Sequence, residues 1–190
     1  MPATDLFVPS ARHALAALTS WLGKAAAHVG EHGAKPDMLM TLRLAPDMYP
    51  LASQVRFAAF QAQEAVHRLR GGEPPEELLA LRRAGWEANE APGTFADAEA
   101  AVDAASDFLS HVDPKSLRDG ADRAIALELP NGMAFDMKGD EFIRDWALPQ
   151  LYFHLVAAYA LLRQHGVPLG KADFVPHMFA YLRPGSMPPA

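Results

Sequence analysis

The stretch Ile125-Ala126-Leu127-Glu128-Leu129-Pro130-Asn131-Gly132-Met133-Ala134-Phe135-Asp136-Met137 decides the fold. Ile125, Leu127 and Leu129 alternate along one arm, Met133, Phe135 and Met137 along the other, and Pro130-Asn131-Gly132 supplies the turn between them. That period of two is a β-hairpin signal. Elsewhere in the chain apolar residues recur at three and four, the period of a helical face. The reading is therefore a mainly α protein, a bundle of four helices with one hairpin inserted before the last.

Downstream of the hairpin, Gly139-Asp140-Glu141 opens the last helix, because Asp140 can cap free backbone amides and Glu141 suits the positive end of the helix dipole. Ile143, Trp146, Gln150, His154, Ala158 and Leu161 then share one face. Pro149 removes a backbone donor in its middle and is expected to bend it. Beyond Gly166 the chain leaves the helix. The bundle domain is expected to span residues 1–175, with a Pro-containing tail at 176–190 that is disordered or laid on the surface by Phe179, Tyr181 and Leu182.

Upstream, Thr94 and Asp97 form an N-terminal cap for a helix whose face is Phe95, Ala98, Val102, Ala105, Phe108 and Val112, ended by Asp113-Pro114. A second helix follows Ala45-Pro46-Asp47. Its rhythm runs from Met48 through Leu51, Val55, Ala59 and Val66 to Leu69, where Gly71-Gly72 closes it. The first helix is expected from Pro9 to about His32, with Leu15, Leu18, Leu22, Ala25 and Val29 inward. A helical turn is expected over Asp37 to Leu44. Glu73 to Gly93 reads as an elaborated connection carrying one small helix. Gly132 is expected at positive φ, and the hairpin's Met and Phe side chains in the core.

Composition narrows the function classes. The chain has 190 residues, 50% of them hydrophobic, a net charge of −6 and no cysteine. An acidic balance opposes nucleic acid and anionic lipid, whose affinity comes chiefly from Lys and Arg. The absence of cysteine excludes disulfides, zinc thiolate sites and a thiol nucleophile on the protein. Trp146 to Leu162, the longest apolar run, is broken by Pro149, Gln150 and His154 and falls short of the ~20 residues that span a bilayer. Met1-Pro2-Ala3-Thr4-Asp5 lacks the basic and apolar regions of a signal peptide, so a cytoplasmic location is expected.

Two stretches carry a resemblance. One runs from Arg43-Leu44-Ala45-Pro46-Asp47-Met48-Tyr49-Pro50-Leu51 to Gln54-Val55. The other runs from Ala147-Leu148-Pro149 through Phe153-His154 and Ala158-Tyr159 to Gly166-Val167-Pro168-Leu169-Gly170-Lys171 and Asp173-Phe174. Together they resemble the bacterial family called domain of unknown function nineteen ninety-three, a branch of the DinB/YfiT-like helical superfamily. The resemblance spans roughly Leu6 to Val175. It implies a DinB/YfiT-like four-helix bundle that tends to form homodimers. It also implies kinship with metal-dependent enzymes, including thiol transferases, that hold zinc or nickel with one histidine from helix two and a His-x-x-x-His pair on the last helix. Counting back from Gly166 puts His154 at the second histidine of that pair and Gln150 at the first, and helix two has no histidine near its start.

The metal site therefore reads as depleted, with His154 the one candidate ligand and no cofactor expected. An unidentified small molecule is the expected partner. The candidate ligand-binding residues are Asp47, Tyr49 and Gln54 with Gln150, Tyr152, His154 and Tyr159. Gln150 and His154 have a second reading, as buried groups bonded to each other or to the carbonyl that Pro149 frees. Asp47 has one too, as the cap of helix two, which the spacing favours. The alternative functions are a metal-dependent thiol S-transferase or hydrolase, and a non-enzymatic dimeric interaction protein.

Overall fold

In the computed structural model, which describes residues 2–186, α1 (Ala3–Glu31) already contains Pro9 in its interior. Helix one thus starts earlier than Pro9. Phe7 and Val8 are fully buried and reward the extra turns, while proline forfeits a single intrahelical bond. The new end is capped from far away: Asp140 Oδ1 accepts the backbone N–H of Thr4 at 3.3 Å. Asp140 was expected to cap its own helix. That place is taken by Glu141, whose Oε2 accepts the Lys138 N–H at 2.8 Å.

After a 3₁₀ turn at Pro36–Thr41, α2 covers Leu51–Leu69 with Pro50 at its N-cap position. Asp47 therefore does not cap α2. It lies in an exposed turn closed by the Met48 N–H on the Ala45 carbonyl, and Pro50 disfavours helical backbone at the residue before it. α3 (Glu76–Trp86) is the small helix of the long connection, and α4 (Phe95–Ser110) begins on the expected capping box of Thr94 and Asp97. β1 (Ala124–Glu128) pairs antiparallel with β2 (Ala134–Lys138), Leu127 opposite Phe135.

The last long helix, residues 139–164, has three parts: Gly139–Glu141, a π-helical Phe142–Ala147 and an α-helical Leu148–Gln164. Pro149 follows the widened turn, so its missing donor falls where the hydrogen-bond register is already shifting. α1 and α2 each pack against both α4 and the last helix, which closes the four into a ring. Phe7, Leu15, Trp21, Leu51 and Phe142 fill it with no exposed surface. α3 lies outside the ring, on α2. None of the described helices is long and apolar enough to cross a membrane.

The hairpin is only half core. Ile125 and Leu127 are buried, whereas Met133 and Phe135 are 49% and 40% exposed. A two-stranded ribbon with β1 against the bundle leaves β2 as the outer edge. The C-terminal segment likewise differs from expectation: Phe179, Tyr181 and Leu182 stay exposed, and it is His177 that stacks on the bundle, on His13 at 4.1 Å. Residues 187–190 of the expected tail lie outside the described residues.

Gly132 closes the hairpin at φ +85°, its N–H on the Leu129 carbonyl at 2.9 Å. A β-branched side chain is strained there, although nothing crowds the position. Gly132→Val is expected to cost about 1–2 kcal/mol, and Gly132→Asn less. Thermal unfolding of both variants beside wild type checks the ranking.

Candidate functional site

The site is built on α2. Of its 19 residues only Gln63, His67 and Arg68 are not buried, so polar side chains elsewhere on it must find partners inside the protein. Ser53 Oγ donates to the Gly85 carbonyl at 2.7 Å, and the Arg56 guanidinium donates to the carbonyls of Ala84 and Pro92 at 3.2 and 2.7 Å. These bonds hold α3 and the loop after it against α2. Gly85 is required at the crossing, because a Cβ there would lie 2.5 Å from the ring of Phe57.

Between α2, α3, the hairpin turn and the last helix lies an open cleft of about 550 Å³. Behind its lining, Gln54 Nε2 donates to the Tyr49 carbonyl at 3.2 Å, which turns Oε1 toward His154. That oxygen accepts from His154 Nδ1 at 2.9 Å, so the ring proton sits on Nδ1. Burial pushes the His154 pKa down to about 4, leaving the imidazole neutral at pH 7. Its Nε2 lone pair has no partner among the described residues.

Deeper along α2 stand Gln61 and Glu64. The Glu64 carboxylate is 2% exposed and accepts from Arg68 Nε at 2.8 Å; burial pushes its pKa up while Arg68 opposes the shift. Across the cleft, the Arg82 guanidinium lies over the rings of Phe60 and Trp86, at 5.1 and 4.9 Å. Leu127, Leu129 and Asn131 of the hairpin form one end of the cleft, and Trp146, Gln150 and Phe153 form the wall given by the last helix. Five buried side-chain polar atoms lack a hydrogen-bond partner among the described residues, and three of them, Gln61 Oε1, Arg82 Nε and Trp146 Nε1, belong to residues that line this cleft.

Of the seven candidate residues, the structure brings Tyr49, Gln150 and His154 to the cleft and Gln54 directly behind His154. His154 bonds Gln54, not Gln150 or a carbonyl freed by Pro149. Asp47, Tyr152 and Tyr159 are elsewhere. Tyr152 is two residues from Gln150 and from His154, hence on the outer side of the helix. Tyr159 packs edge-on to Trp21 at 5.4 Å. Gln61, Glu64, Arg82 and Trp86 are cleft residues that periodicity overlooked. Gln54, Phe57, Gln61, Glu64 and Arg68 recur at three and four, a second stripe on helix two that was there to be read.

The donors do not fit a three-histidine metal centre. His154 brings one imidazole with Nδ1 engaged, the helix-two side chain that meets it is Gln54, and one turn before it stands Gln150. Among the described residues no group of three or more His, Asp or Glu is placed to hold an ion. His28 and His32, spaced four apart, lie at the end of α1, where His32 Nδ1 bonds the His28 carbonyl at 2.7 Å.

Three comparisons place the chain. The family model described as Domain of unknown function (DUF1993) matches residues 4–175. No curated protein matches. A solved DinB family member protein from Shewanella denitrificans is similar at 26% identity and a TM-score of 0.73, over 97% of this chain and 95% of that one.

Amide oxygens are weak ligands for zinc and nickel, which favour imidazole nitrogen. After dialysis the protein is expected to carry well under about one equivalent of either metal by elemental analysis. Replacing both amides, Gln54→His with Gln150→His, supplies three imidazoles and is expected to give retained, near-stoichiometric metal. Wild-type protein that holds a full equivalent, released by His154→Ala, contradicts this account of the donors.

Proposed function

The chain belongs to the DUF1993 family and has the fold of a DinB family member, and from that premise we propose that it binds a small molecule in the cleft between α2, α3, the hairpin turn and the last helix. The supporting observation is that Gln61 Oε1, Arg82 Nε and Trp146 Nε1, three buried polar atoms without partners among the described residues, belong to residues that line this one cleft from α2, α3 and the last helix. Each such atom costs about 1–3 kcal/mol, and a ligand or a rearrangement on binding relieves that cost. The volume suits a small ligand: pockets of roughly 300–1,000 Å³, largely apolar with a few fixed polar groups, are typical of such sites.

In this reading Tyr49, Gln150 and His154 sit at the entrance and Gln54 orients His154. The neutral imidazole offers Nε2 as a hydrogen-bond acceptor. It becomes a proton acceptor only for a substrate acidic enough to protonate a group with a pKa of about 4. A metal-dependent transferase or hydrolase would need ligands that Gln54, Gln150 and His154 do not supply. Binding, without a metal, is what the residues support.

The test uses a neutral apolar dye, N-phenyl-1-naphthylamine, and a variant that fills the cleft. Wild type is expected to bind the dye saturably at one site with enhanced fluorescence. Gln150→Trp, which puts a large ring into the entrance, is expected to weaken binding by about tenfold or more, since displacing ~1.4 kcal/mol of contact is tenfold in affinity. Saturable binding that Gln150→Trp leaves unchanged places the dye elsewhere and contradicts the proposal.

A further inference from the structure

Arg82 is the cleft's unspent charge. Its guanidinium makes no hydrogen bond and no ion pair with any described residue, and Nε is buried without a partner. Buried Glu64 acts on it through space, but the Glu64 carboxylate bonds Arg68, at 2.8 Å, and none of the Arg82 donors. Arg68 is itself taken up, reaching also the exposed Glu73 at 3.4 Å and the Ala126 carbonyl at 3.3 Å. Arg68 engages both Glu64 and Glu73, and it is the Arg82 donors that stay without a hydrogen-bond partner among the described residues beside the cleft.

The rings beneath it set the geometry. Phe60 from α2 and Trp86 from the next turn of α3 both lie within cation–π distance of the Arg82 guanidinium, so its orientation is held by contacts that leave the N–H edge unbonded. A planar fork with five donors matches a carboxylate in bidentate fashion, and ordering it beforehand lowers the entropy lost on binding. Apart from Glu64, whose carboxylate is taken up by Arg68, the rest of the lining is apolar or neutral, including Phe57 and Phe153, the indole of Trp146, the amides of Asn131 and Gln150, and an uncharged His154.

We propose that the ligand of this cleft is a small monocarboxylate with an apolar, ring-sized body, its carboxylate on Arg82 and its body among Phe57, Trp146 and Phe153. This rests on the cleft being a binding site. One free guanidinium suits one negative charge; a phosphate dianion would ask for a second cation, and Arg68 is already committed.

The experiment is a calorimetric series with four naphthalene probes that differ only in the head group: 2-naphthoate, 2-naphthamide, 2-naphthyl phosphate and 2-naphthylmethylammonium. A charge-assisted bidentate contact is worth about tenfold or more in affinity. Naphthoate is expected to bind at least about tenfold tighter than the amide and tighter than the phosphate, with the ammonium weakest. Arg82→Gln should erase the preference by weakening naphthoate alone. Arg82→Lys should keep part of it, charge without the fork, and Arg83→Gln, outside the cleft, should change nothing. The wild-type series needs no variant, so a misfolded Arg82→Gln does not rescue the idea. Equal binding of acid and amide, tighter binding of phosphate, or a preference that survives Arg82→Gln overturns the carboxylate assignment and leaves the cleft standing. If none of the four probes binds and N-phenyl-1-naphthylamine does not either, the cleft reading falls with it.

Discussion

The burial of α2 around nearly its whole circumference is the constraint on which the rest of the structure depends. A helix at the edge of a bundle turns its polar side to water. α2 has the last helix, α4 and α3 around it, and so Ser53, Gln54, Arg56, Gln61 and Glu64 are buried along with its alanines. Four of the five are answered by the protein. Ser53 and Arg56 bond the backbone of the long connection, Gln54 joins Tyr49 to His154, and Glu64 pairs with Arg68. Gln61 is the exception. Its Oε1 finds no partner among the described residues, and it lines the cleft.

The same bonds create the cleft that Gln61 lines. α3 is not part of the four-helix ring, yet Ser53 and Arg56 pin its C-terminal end to α2 and so hold Arg82 over the rings of Phe60 and Trp86. On the opposite side, the π-helical turn of Phe142–Ala147 carries Trp146 into the wall opposite. The hairpin contributes its turn. An elaborated connection, a widened helical turn and a ribbon thus enclose a space that four straight helices would not.

Much of this was legible in the sequence, and the misses have physical causes. The hairpin, the Thr94 capping box and the run of the last helix are local signals and stand where local rules put them. Asp140 and Asp47 failed because a cap is decided by which amides are near: Asp140 meets Thr4 from across the chain, and Pro50, not Asp47, fixes the start of α2. Gln61 and Glu64 were passed over because periodicity looks for one apolar face, whereas a helix covered on every side has a second stripe. Arg82 and Trp86 sat inside what read as a connection. His154 and Gln150 stand out by family spacing and Gln54 by proximity to the first motif; Tyr49, Gln150 and His154 line the cleft with Gln54 bonded to His154, whereas Asp47, Tyr152 and Tyr159 share the motifs without sharing the face.

The central claim is that Gln61 is buried for a ligand, whereas Gln54 is buried for the fold. Denaturant unfolding of Gln61→Met beside Gln54→Met separates them, since both swaps keep length and replace an amide by an apolar group. Loss of a satisfied buried amide that leaves His154 Nδ1 and the Tyr49 carbonyl bare is expected to cost about 1–3 kcal/mol, so Gln54→Met should be destabilised by that amount. Gln61→Met should be as stable as wild type or more so, because it removes a buried oxygen that has no partner. A Gln61→Met protein destabilised as much as Gln54→Met would show that Gln61 serves the fold, and would contradict the account.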